Sequence, residues 1–243
     1  MRHWAGKRYW LVGASEGLGE ALAHQMSRAG VELVLSARNE QRLEAISREL
    51  PGKSEVAPLD ITRSDELADT AARIGEVDGV VHMAGVYWPF GAEAWDADQA
   101  NSMADINFTG AMRLMGEVVP RFVARGTGHI VLTGSLSGFR GLPGAAPYVA
   151  SKAGVMALAE SLYADLHRTG VDVQLVNPGF IRTRLTDKND FRMPFIMEPK
   201  DAARAFFEHM TSGGFKRSFP RGFSLVFRGS QFLPDWLYYR LFA

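Results

Sequence analysis

Tyr148 and Lys152 stand four residues apart at the start of a predicted helix. That spacing puts both side chains on one helical face. An ammonium beside a phenol favours the phenolate and lowers its pKa from the ordinary value of about 10. A tyrosine so tuned can give a proton to a forming alkoxide, or take one from an alcohol, near neutral pH. Taken alone, the pair is a common surface arrangement. Its position gives it weight, because it follows an apolar run ending in Thr133-Gly134-Ser135 and then a glycine-rich loop, Gly138 to Pro147. Ser135 thus falls at the carboxyl end of a predicted strand, where open α/β sheets bind their ligands. Ser137 offers a second hydroxyl two residues on.

A second constellation lies near the N-terminus, in Gly13-Ala14-Ser15-Glu16-Gly17-Leu18-Gly19. It links a short apolar run, Tyr9 to Val12, to a helical pattern over 17–29. Glycines let the chain turn tightly and let a dinucleotide pyrophosphate approach the backbone. The helix start adds unpaired N–H groups and the positive end of the helix dipole. Residues 13–17 also match the G-x-S-x-G elbow of serine hydrolases, with Ser15 as the nucleophile. A hydrolase would need a downstream acid and histidine. His167 and His209 are available, but both fall in predicted helices. An elbow also normally follows several strands, whereas this one follows the first.

Strand-like and helix-like segments alternate and would position these groups. Apolar runs at 9–12, 31–36, 54–59, 78–83, 129–133 and 171–176 read as strands, with a last short one at Ser224 to Phe227. Helical patterns cover 17–29, 39–50, 63–74, 99–124, 148–168 and 199–211. Mostly apolar strands separated by helices call for a parallel sheet covered on both faces. With right-handed crossovers the fold is doubly wound. With 243 residues and no linker or repeat, one domain spanning 1–243 is expected. Within it, 183–199 reads as a substrate lid and 214–243 as an aromatic, basic C-terminal extension.

The glycine loop, Asn107, Ser135, Tyr148-x-x-x-Lys152 and Asn177-Pro178-Gly179 together resemble the short-chain dehydrogenase/reductase family, common compact type. The resemblance runs from about Tyr9 to Thr211 and more weakly to Phe227. It implies a Rossmann-like α/β fold with a mostly parallel, seven-stranded sheet. It implies an oxidoreductase moving a hydride between a nicotinamide cofactor and a carbonyl or secondary alcohol. Tyr148 would be the general acid/base, and Lys152 would bind the nicotinamide ribose and lower the tyrosine pKa. Ser135 would stabilise charge on the substrate oxygen. Asn107 would hold a water that relays protons to Lys152. The cofactor would also meet Gly13, Ser15, Glu16, Gly17, Leu18 and Gly19. Asp60-Ile61 would flank adenine and Ala84-Gly85 would pass under the cofactor. Pro178 and Gly179 would border nicotinamide, with the Ile181 backbone and Thr183 side chain on its carboxamide. Relatives are often homodimers or homotetramers.

The second strand ends Leu35-Ser36-Ala37-Arg38, with no acid to accept from a ribose 2′-hydroxyl. Arg38 carries a guanidinium fork suited to a 2′-phosphate, and Ser36 could add a hydroxyl bond. NADP(H) is therefore expected rather than NAD(H). Glu16 works against this, since it sits where some NADP-preferring relatives carry a basic residue. Val12 and His82-Met83 also depart from the family pattern, replacing polar groups that fix backbone near the adenosine half. They leave open a regulator or scaffold that binds nucleotide without turnover.

Composition narrows the classes further. The 27 basic and 27 acidic residues cancel, so no global field points to nucleic acid. The absence of cysteine excludes disulfides and thiolate chemistry, and no metal site is expected. The basic start, Met1 to Arg8, lacks a long apolar core and does not read as a signal peptide, so a cytoplasmic protein is expected. Tyr87, Trp88, Phe90, Phe139, Phe180, Phe191, Met193, Phe195 and Ile196 would line a pocket for an apolar small molecule. The stretch from Gly214 to Ala243 holds nine of the 26 aromatic residues and five basic residues against one acidic. It is expected to pack over the pocket, join subunits or touch a membrane surface as a peripheral amphipathic helix.

Overall fold

The computed structural model of the chain describes residues 2–242; Met1 and Ala243, the ends of the expected domain, lie outside the described residues. Strands β1 (Arg8–Val12), β2 (Glu32–Ser36), β3 (Ser54–Val56), β4 (Gly79–His82), β5 (Gly128–Thr133), β6 (Val171–Pro178) and β7 (Lys216–Phe219) form one sheet. Its order is β3-β2-β1-β4-β5-β6-β7, and every pairing is parallel. The chain order reverses between β1 and β4, which opens a crevice at their carboxyl ends.

Buried apolar side chains fill both faces of this sheet. On one face Trp10, Val80 and Leu132 pack against α3 (Ser64–Ile74), α5 (Gly110–Arg125) and α6 (Ala146–Leu166). On the other, Leu11, Leu33 and Val131 pack against α1 (Gly17–Arg28), α2 (Glu40–Glu49) and α7 (Pro199–Thr211). Each fully buried leucine or valine stabilises the fold by about 1.5–3 kcal/mol. No helix among the described residues is long and apolar enough to cross a membrane.

Two elements differ from the sequence expectation. The region 99–124 is not one continuous helix, because α4 (Ala97–Ala104) and α5 are joined by a π turn over Asp105–Thr109. Apolar residues keep helical spacing across the joint, so periodicity alone does not reveal it. The stretch Ser224 to Phe227 is also not a strand. It belongs to α8 (Arg221–Ser230), while the seventh strand is β7. Phe223 and Phe227 lie four apart and turn inward, their rings 5.0 Å from each other, a helical rather than an extended pairing. A final helix, α9 (Asp235–Phe242), closes the described chain.

Candidate active site

The loop between β1 and α1 is shaped by glycine. Gly13 has φ 99° and Gly17 φ 59°, which L side chains adopt at a cost. There is also no room for a side chain. A Cβ on Gly13 would lie 2.4 Å from the Ala84 nitrogen, and one on Gly17 would lie 2.8 Å from Thr183 Cγ2. The glycine loop, the segment after β4 and the segment after β6 therefore meet at one point. Leu18 packs partly against the core and Gly19 is buried. Glu16, at the N-cap of α1, gives no side-chain bond to the first turn. The N–H groups of that turn stay available to an anion, a cradle that fits a nucleotide pyrophosphate.

The candidate proton-transfer residues gather at the ends of β4, β5 and the start of α6. Lys152 is buried and donates from Nζ to the Thr133 carbonyl at 3.1 Å. A Cβ on Gly85 would lie 3.4 Å from Asn107 Oδ1 and 3.6 Å from Lys152 Nζ, so these two groups flank Gly85. Asn107 is fully buried in the π turn. Its Oδ1 accepts from the Val86 N–H at 2.7 Å, and its Nδ2 faces the Val86 carbonyl at 3.0 Å and Ser151 Oγ at 3.1 Å. The Asn107 amide therefore clamps the loop after β4. π turns of this kind recur at functional sites. Sequence does not single out Val86 or Ser151, since backbone partners leave no residue signature and Ser151 is marked only by its place before Lys152.

Ser135 Oγ accepts from the Ser137 N–H at 3.2 Å and lies 2.9 Å from Ser137 Oγ. Burial pushes the Tyr148 phenol up to about 12, and the neighbouring Ser135 side chain opposes the rise. The edge of the Tyr87 ring faces Tyr148 with centroids 4.9 Å apart. Burial also lowers Lys152 to about 8. The sequence predicts a tyrosine lowered by its lysine; desolvation dominates both groups instead. Lys152 Nζ sits 5.8 Å from the Tyr148 ring centre and is engaged by Thr133.

At the adenosine end, Arg38 is exposed just beyond β2. Ser36 does not join it. Its hydroxyl is fully buried, accepting from Trp10 Nε1 at 2.8 Å and donating to the Ala57 carbonyl at 2.6 Å. In-register pairing with Val12 turns Ser36 into the sheet face shared with Trp10. Asp60 Oδ1 accepts from both the N–H and the hydroxyl of Thr62, and Ile61 is buried against Gly110. The Ser15 carbonyl accepts from Arg42 Nε at 3.2 Å. Glu16, the charge at odds with a phosphate, is 3.1 Å from Arg184. The nearest bonds of His167 and His209 run to local backbone and to Ser212. Neither ring is bonded to Ser15 or to a carboxylate among the described residues.

The segment after β6 crosses the cleft. Gly179, after Pro178, donates its N–H to the Phe219 carbonyl at 2.8 Å, and the Ile181 carbonyl accepts from Thr186 Oγ1 at 2.7 Å. Lys188 reaches the opposite wall, donating to the Tyr87 carbonyl at 2.6 Å and lying 4.5 Å over the Trp88 ring. Phe180 contacts Phe191 and Phe223, each with centroids 5.9 Å apart. Phe139 instead leans on the core.

The family model for short chain dehydrogenase matches residues 7–192 of the chain. The chain belongs to the short-chain dehydrogenase family. It is 37% identical over 235 residues to a protein of Myxococcus xanthus described as an uncharacterized oxidoreductase, covering 94% of this chain and 93% of that one. Among solved structures of the family, a short-chain dehydrogenase from Sphingobium yanoikuyae in complex with NADPH superposes with TM-score 0.83. It is 29% identical and the match covers 92% of this chain and 91% of that one. A Burkholderia phymatum short-chain dehydrogenase/reductase in complex with NAD shares the fold, with TM-score 0.86, 22% identity and 94% of each chain covered.

Proposed function

We propose that this protein is an oxidoreductase that interconverts an apolar carbonyl compound and its secondary alcohol with NADP(H). The observation that carries the reading is the convergence of Ser135, Tyr148 and Lys152 beside the glycine loop, at the carboxyl ends of β1, β4 and β5. The free N–H groups of α1 would hold the pyrophosphate, Arg38 the 2′-phosphate, and Lys152 the nicotinamide ribose. Nicotinamide, when bound, supplies or accepts the hydride. The residues of the chain manage the charge and the proton. Ser135 donates to the carbonyl oxygen and stabilises the negative charge that develops there. Tyr148 keeps its proton across the neutral range, so it stands ready to transfer that proton to the same oxygen, giving the alcohol. The Lys152 ammonium lowers the energy of the phenolate left behind. Alcohol oxidation runs these steps in reverse. Tyr87, Phe180 and Phe191 supply aromatic surface near the cleft, which supports an apolar or ring-bearing substrate.

A panel of carbonyl compounds and alcohols, followed by nucleotide absorbance with NADP(H) and NAD(H), tests the proposal. The expected result is turnover of apolar members, with higher kcat/KM for NADP(H). Nucleotide binding without turnover of any member would favour the regulator reading. Loss of the NADP(H) preference would remove the role given to Arg38.

A further inference from the structure

The helices beyond the catalytic fold present an unusual surface. Twelve large apolar side chains are prominently exposed among the described residues, and six of them lie between Leu225 and Leu241. Phe232 is 87% exposed, Trp236 69% and Leu225 64%. On α8 the inward face carries Phe223 and Phe227, which pack beside Phe180 and Phe195. The outward face carries Gly222, Leu225, Val226 and Gly229, at the spacing of one helical stripe. On α9, Trp236, Tyr239 and Arg240 point to solvent while Tyr238 is buried. A shallow apolar groove of about 390 Å³ adjoins them, where Tyr239 faces Leu142, Pro143 and Val149.

Charge decides what fits this surface. Arg221, Arg228 and Arg240 are exposed and make no ion pair among the described residues. Asp235 is the one acid in this stretch, and Arg140 neutralises it. Arg140 also donates to the Ser230 and Leu233 carbonyls at 2.7 Å, and Tyr238 donates to the Gly141 carbonyl at 2.7 Å. The two helices are therefore tied to the body, and their outward side chains are displayed on a fixed support. A two-fold contact with a second copy would bring the same cationic patch against itself, which like charges oppose. An anionic bilayer meets both halves of the pattern: apolar side chains enter the acyl boundary and arginines meet the lipid phosphates.

We infer that α8 and α9 form a peripheral docking surface for anionic lipid bilayers. Tryptophan, phenylalanine and leucine provide insertion, and three arginines provide the attraction. The surface holds the protein on the bilayer through these side chains.

Co-sedimentation of the full chain with lipid vesicles tests this directly. Vesicles of phosphatidylcholine alone are compared with vesicles of phosphatidylcholine and phosphatidylglycerol. The wild type is expected to sediment with the anionic vesicles and to be released by salt. Replacing all three arginines (Arg221→Gln, Arg228→Gln, Arg240→Gln) is expected to weaken partitioning roughly a hundredfold. The pair Phe232→Ser and Trp236→Ser is expected to abolish it, with thermal unfolding confirming that both variants remain folded. Salt release of the wild type stands independently of any variant. Failure to bind anionic vesicles would overturn the inference. So would equal binding to both vesicle types, or binding unchanged in the two variants. A wild-type dimer split by Trp236→Ser, with no lipid binding, would overturn it in favour of a second copy.

Discussion

The two ends of the cleft are built differently. At the proposed proton-transfer end, side chains are locked by bonds to backbone, Lys152 on Thr133 in the interior and Asn107 on both polar groups of the half-buried Val86. At the adenosine end, the group that would choose the cofactor, Arg38, is an exposed side chain beyond a strand, while neighbouring Ser36 is turned into the core. The first arrangement is preorganised, so the chemistry depends on packing as well as on residue type. In the second, selection rests on one solvated charge. Substitutions at the proton-transfer end should therefore damage rate and stability together. Substitutions at the adenosine end should change preference while leaving the fold intact.

The largest effect is expected from Lys152→Ala. It should lower kcat/KM about a thousandfold, roughly 4 kcal/mol of transition-state stabilisation, and steady-state kinetics would read it. A variant retaining most activity would break the comparison at its stronger end. Next comes Asn107→Ala, which strips the half-buried Val86 N–H of its partner and empties a fully buried side-chain site. Denaturant unfolding should report a loss of about 2–3 kcal/mol, whereas an unchanged midpoint would mean that the clamp is dispensable. Arg38→Asp should lower kcat/KM for NADPH by roughly ten- to a hundredfold, about 1.4–2.7 kcal/mol, and spare NADH. Equal losses with both nucleotides would show that Arg38 supports the fold rather than the choice.

The smallest effect near neutrality concerns acid. Burial depresses His82 and His129 to about 3. Above pH 6.5 both the folded and the unfolded chain hold these rings neutral. As pH falls below 6.5 the unfolded chain takes up protons that the folded chain refuses, so stability is lost down to about pH 3. Each ring contributes a slope of about 1.4 kcal/mol per pH unit. His129 is hydrogen-bonded to Tyr9 and Gln174, whereas neither ring nitrogen of His82 has a partner. His82→Asn should therefore flatten the acid limb of a stability–pH curve at little cost at pH 7. An acid limb as steep as the wild type's would remove His82 from this account.

Much of this was legible in the residues themselves. Seven apolar runs separated by helical patterns follow from parallel strands buried on both faces, and six of them lie where strands form. The seventh does not, because Ser224 to Phe227 is apolar enough for a strand while the i, i+4 aromatic pair Phe223 and Phe227 obeys a helix. The π turn escaped because apolar spacing continues through Asn107, and the deciding bonds go to the backbone of Val86. Polarity alone aims Ser36 at the cleft. The two-residue alternation of β2, in register with β1, instead carries it to Trp10. The opposed shifts of Tyr148 and Lys152 depend on how much water reaches each group, which spacing along a helix does not encode.

The central claim is that one end of the cleft holds nucleotide while Tyr148 at the other end moves the proton. Calorimetric NADPH binding combined with single-turnover oxidation of bound NADPH by a substrate carbonyl tests it in Tyr148→Phe. The predicted result is binding within about threefold of wild type and a rate at least a hundredfold lower. A Tyr148→Phe protein that turns over at the wild-type rate, or one whose lost rate is matched by lost nucleotide binding, would contradict it.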